Sequence, residues 1–167
     1  MVDENDQQNS KLKREIQQTR PINAKAPLQL FRKHEGNTIK EIEGGIKTIL
    51  VNKLGAIDFT NCQKTSDIDD GKLLIVPCIV TSRVAAIKDN SYLGNTTLLL
   101  IHNKEAHALP CFDSSLTLTD RKFKELNKII DLAFTTGNGF YHCDMNSRGI
   151  DSLCPCCRPT THISVRL

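Results

Sequence analysis

Thr96-Thr97-Leu98-Leu99-Leu100-Ile101-His102-Asn103-Lys104-Glu105-Ala106-His107-Ala108-Leu109-Pro110-Cys111 is the stretch on which the fold turns. Thr96 to His102 is a compact apolar run led by β-branched residues, which reads as a strand. Asn103-Lys104 is a plausible two-residue turn. On that reading Glu105 to Cys111 returns antiparallel to the first strand as a hairpin.

Downstream, Phe123, Leu126, Ile129, Ile130, Ala133 and Phe134 recur at helical spacing. The spacing predicts one amphipathic helix over about Leu118 to Thr136. Thr117 with Asp120 three residues later resembles a capping box, and Gly137 supplies the stop. Phe140 to Cys143 and Thr161 to Val165 read as short final strands. Upstream, Gly44-Gly45 reads as a turn, Ile46 to Val51 as a strand, and Asn61 to Gly71 as a solvated acidic loop. Leu73 to Val80 reads as a buried strand in which Pro77 marks a bulge or an edge position.

Five to seven short strands, one helix and no βαβ alternation predict a β-rich α+β domain. The expected architecture is a small antiparallel sheet or an OB-like barrel, closed by the helix. Residues 38–167 form the single globular domain. Residues 1–37 form a largely disordered tail, because the first 27 are too polar to offset their ordering entropy. Within it, Leu28, Leu30 and Phe31 concentrate three large apolar groups at 27–31. That segment either starts the fold or docks on a protein partner.

The chain has 167 residues and a net charge of +3, with 5% aromatic residues and no tryptophan. The charge is spread thinly, which argues against strong duplex-DNA binding. No apolar run reaches the roughly 20 residues needed to span a bilayer. The acidic start Met1-Val2-Asp3-Glu4 is unlike a secretory signal. The expected location is nucleus or cytoplasm, and the expected state of the seven cysteines is reduced or metal-bound.

Four of the seven, Cys143, Cys154, Cys156 and Cys157, cluster near the C-terminus, where the sequence contains Cys143-x10-Cys154-x2-Cys157-x4-His162. A Cys-x2-Cys step places two thiolates one tetrahedral edge apart, so Cys143, Cys154, Cys157 and His162 are the candidate ligands of a structural zinc ion. Cys156 inside the step competes with Cys154 for that role. No phosphate-binding glycine loop, nucleophile elbow or His-Glu-x-x-His is present. His142 and Cys143, as neighbours on a strand, would point to opposite faces and form no nucleophile–base pair.

The sequence therefore points to a non-catalytic binding or scaffold subunit of a protein complex with a zinc-stabilised domain. Its sharper form is a nuclear barrel associated with single-stranded nucleic acid, in which Phe59, Tyr92 and Tyr141 stack on bases. The competing class is a small cysteine-dependent or zinc enzyme with an open pocket reaching Cys143, Cys157 or His162.

Overall fold

The structure is a computed structural model, and it describes residues 25–32, 35–80 and 93–156. Five strands form one sheet in the order β2-β1-β3-β4-β5: β1 (Ala26–Phe31), β2 (Ile57–Cys62), β3 (Leu73–Ile79), β4 (Thr96–Asn103) and β5 (Lys128–Phe134). Every pairing between these five strands is parallel. The helices are α1 (Asn37–Leu54), α2 (Ser114–Thr117), α3 (Arg121–Lys124) and α4 (Asp144–Cys156). This is an α/β architecture, and it overturns the expected antiparallel sheet or OB-like barrel.

The correction has a physical origin in β4. Thr96 to His102 are all buried. A strand covered on both faces shows a near-continuous apolar run, which is the signature of a parallel sheet. The expected hairpin at Asn103-Lys104 does not form, and Ala106–Ala108 is a single 3₁₀ turn. The expected helix over Leu118 to Thr136 is instead the one-turn α3 followed by β5. Ile129 to Phe134 satisfies helical spacing only because both faces of β5 are apolar.

One sheet face buries Leu28, Leu30, Ile75, Leu99, Ile101, Ile130, Leu132 and Phe134 beneath α1 and α4. From α1 come Ile42, Ile46 and Leu50, spaced at i, i+4 and i+8 along one stripe. The predicted turn at Gly44-Gly45 lies inside this helix. A Cβ on Gly45 would stand 2.7 Å from the Phe140 ring, so the close approach requires the glycine. The opposite face is a smaller cluster of Leu98, Leu100 and Phe123 with Val76, Cys78, Leu118, Leu126 and Ile129 against it.

Pro77 sits in the central strand, against the usual rule. β1 pairs with β3 only as far as Ile75, so the proline stands beyond the end of that ladder. The loop between β2 and β3 is held by buried Gln29: its amide nitrogen donates to the Asp69 carbonyl at 2.8 Å and its oxygen accepts from the Asp69 N–H at 2.7 Å. Phe140 to Cys143 is not a strand, and helix α4 begins directly after it at Asp144. The expected strand at Thr161 to Val165 lies outside the described residues. No helix among the described residues is long and apolar enough to cross a membrane.

Candidate functional site

The connection from β4 to β5 crosses the second sheet face and is pinned from below by one carboxylate. Asp131, in the middle of β5, points to that face together with His102 of β4. His102 Nε2 lies 2.7 Å from Asp131 Oδ1. The Ser114 hydroxyl donates to the same oxygen at 2.6 Å, and the Ser114 backbone N–H donates to Oδ2 at 2.8 Å. His102 is 4% exposed and Asp131 7%. Burial pushes the Asp131 carboxyl up, but the hydrogen bonds from His102 and from both groups of Ser114 outweigh it and hold the carboxyl below its ordinary value.

Serine, histidine and aspartate together invite a catalytic reading, and the geometry shows what these three can do. In a nucleophilic relay the imidazole lies between the hydroxyl and the carboxylate. Here the carboxylate lies in the middle and binds the other two. A carboxylate held below its ordinary pKa is a weak base, so the arrangement suits an anchor rather than an activated serine.

Further anchors complete the connection. Asn127 N–H donates to the Thr96 carbonyl at 2.9 Å, and its side chain donates to the Thr97 hydroxyl at 3.3 Å. Phe123 is buried on Leu98 and Leu100. Asp113 meets Arg148 of α4 at 3.6 Å. Between these fixed points, Phe112 is 73% exposed and Leu116 69%. The same connection, from Ser115 onward, lines a shallow cleft of about 360 Å³. Its floor is Leu118, Phe123, Leu126 and Ile129. Its rim carries the ammonium groups of Lys124 and Lys128 and the hydroxyls of Ser115 and Thr119.

The residues singled out in the sequence fall elsewhere. Cys143 immediately precedes α4, with its carbonyl accepting from Ser147 N–H at 3.0 Å. Cys154 is buried three turns later. Eleven residues of helix separate them by about 16 Å, far beyond a shared tetrahedral site. Cys157 and His162 lie outside the described residues. Among the described residues, no three His, Cys, Asp or Glu side chains come together as a metal ion needs.

Leu28 and Leu30 are each 1% exposed within β1, so the 27–31 segment is part of the sheet, with Phe31 half-buried at its end. Phe59 is half-buried against the α1 side of the core, with the Lys47 ammonium 5.6 Å from its ring centre. Tyr141 is half-buried and donates to the Lys104 carbonyl at 2.7 Å. Tyr92 lies outside the described residues. The barrel on which the base-stacking expectation was built is replaced by the parallel sheet.

In open sheets of this strand order, ligands commonly sit at the carboxyl ends where the order reverses, here between β1 and β3. At the end of β1, Arg32 binds both carboxylate oxygens of Glu43 from α1, one of them through Nε at 2.7 Å. That ion pair joins strand to helix internally. Beyond Arg32 and Val80 there, residues 33–34 and 81–92 are outside the described set.

Phe123, Leu126 and Ile129 of the cleft satisfy helical spacing, so the sequence alone presents them as a helix face. No family model matches the chain, and neither a curated protein nor a solved structure matches it.

Proposed function

We propose that this chain is a binding domain that docks a protein partner on the outer face of its β4–β5 connection. The observation that carries the reading is the exposure of Phe112 and Leu116 on a segment fixed from beneath by the Asp131–Ser114 bonds. Scattered exposed apolar residues are ordinary, but two large ones on a connection that also lines a partly apolar cleft favour an interaction site. A segment already held in place loses little further freedom on binding, which favours affinity. The competing enzyme reading requires a pocket that reaches Cys143, Cys157 or His162. None of the cleft-lining residues is a cysteine, a histidine or a carboxylate.

The test is site-specific photo-crosslinking in cells, with a benzoyl-phenylalanine placed at 116 and, as a control, at exposed position 58 on the far edge of the sheet. A discrete heteromeric adduct from 116, absent from 58 and lost with Phe112→Asp, supports the reading. Equal or diffuse labelling from both positions removes it.

A further inference from the structure

The identity of the docked segment follows from the chemistry of the cleft, and it rests on the reading that this face is a docking surface. We propose that the occupant is an acidic peptide segment of a partner protein, anchored by one large apolar side chain. The floor of Leu118, Phe123, Leu126 and Ile129 offers an apolar seat, and about 360 Å³ is ample room for one large apolar side chain with part of its peptide.

The rim sets the charge. Between Asp120 and Lys128 there are four cations, Arg121, Lys122, Lys124 and Lys128, against the acids Asp120 and Glu125. Arg121 is paired with Glu125 at 3.4 Å, and the Lys122 ammonium sits 5.0 Å from the centre of the Phe123 ring. Lys124 and Lys128 enter no ion pair among the described residues, and they flank the cleft. A carboxylate beside the apolar anchor meets them directly. The Ser115 and Thr119 hydroxyls are placed to donate to the bound peptide's carbonyl or carboxylate oxygens. A nucleic-acid strand would also supply anions, but the one ring among the cleft-lining residues, Phe123, is buried and covered by Lys122, so no base stacks within the cleft.

Fluorescence anisotropy with the full chain tests this using labelled synthetic peptides. One carries a central Phe flanked by Asp and Glu. A second replaces the acids with Asn and Gln, a third replaces the Phe with Ser, and a thymidine oligonucleotide serves as the fourth probe. The expected result is binding of the first peptide only, weakened by salt and by about tenfold, or about 1.4 kcal/mol, in Lys124→Glu/Lys128→Glu. Equal binding of the neutral peptide, or no effect of the double variant, overturns the proposal. So does preferential binding of the oligonucleotide. A tenfold gain in affinity on Asp3→Asn/Glu4→Gln/Asp6→Asn would give the cleft to the chain's own tail and overturn it too. A discrete crosslink from position 116 alongside failure of the acidic peptide leaves the docking reading standing and removes only this inference. Failure of both experiments removes both.

Discussion

Asn146 of α4 closes the free edge of the sheet by gripping a single residue of β5, Ala133. Its carboxamide oxygen accepts from the Ala133 N–H at 2.8 Å, and its nitrogen donates to the Ala133 carbonyl at 2.9 Å. The same nitrogen donates to the Tyr141 carbonyl at 2.6 Å. The side-chain amide takes the place of a neighbouring strand. An open edge invites pairing with another chain, and here a helix covers part of it.

Asn146→Ala strips the buried Ala133 N–H and carbonyl of their partners. Each orphaned group costs about 1–3 kcal/mol, so a loss of roughly 3 kcal/mol and a drop of about 10 °C in Tm are expected. Asn146→Asp keeps an acceptor but sets carboxylate oxygens against two carbonyls, and is expected to be no more stable than the alanine variant. Thermal melts of both decide the matter. A drop under 2 °C for the alanine variant would show that Asn146 does not seal this edge.

Asp131 gives the pH dependence a definite sign. Its folded-state carboxyl lies below the ordinary 3.8, so the stabilisation it supplies is present above that value. It is lost as pH falls through the depressed folded value. Asp131→Asn is expected to cost about 2 kcal/mol at neutral pH, the worth of charge-assisted bonds to His102 and Ser114. The gap between variant and native chain then closes in acid. Urea midpoints measured across the acid range check this; parallel curves would mean that the carboxylate is not the acceptor described.

How far the sequence reveals this fold depends on which residues are asked. Thr96 to His102 was legible as a strand, since β-branched Thr96-Thr97 leading an unbroken aliphatic run announces one. Its parallel partner β5 was not. Ile129, Ile130, Leu132, Ala133 and Phe134 fit both a helical stripe and a doubly covered strand, and only the neighbouring strand breaks the tie. In α1, the pair Gly44-Gly45 carries the local signal of a turn, whereas Ile42, Ile46 and Leu50 carry the helix. The glycine at 45 answers to Phe140, nearly a hundred residues away. The His102–Asp131–Ser114 group had no signal at all, because its members meet only through the β4–β5 register and the crossing above it.

The glycines divide into those that a methyl group improves and those it damages. Gly44 faces open space within α1, and Gly44→Ala is expected to stabilise by about 0.5–1 kcal/mol. Gly149 lies where α4 crosses β5: a Cβ there would stand 2.6 Å from the Asp131 carbonyl oxygen and 2.7 Å from Leu132 Cδ2. Backbone cannot yield as a side chain does, so Gly149→Ala is expected to cost about 1–3 kcal/mol despite its better helix propensity. Chemical denaturation of the two variants should move in opposite directions. The same direction for both would show that α4 does not press this closely on the sheet.

The thiols offer a test of the placement of three elements at once. Cys111 is exposed on the β4–β5 connection and Cys143 half-exposed at the start of α4, whereas Cys62 and Cys154 are buried. Burial, with Asp67 adding to it, raises the Cys62 thiol above its ordinary value, and a weak bond to the Asp67 carbonyl at 3.5 Å occupies it. The thiolate is the reactive form, so Cys62 is slowed both by access and by its scarcity of thiolate. Mass-spectrometric timing of alkylation near neutral pH should find Cys111 and Cys143 modified first. Cys62 should react only on the timescale of opening of the β2 end of the sheet, and faster in Gln29→Ala, which frees the loop that covers it. Early modification of Cys62 in the native chain would displace β2 from the position described.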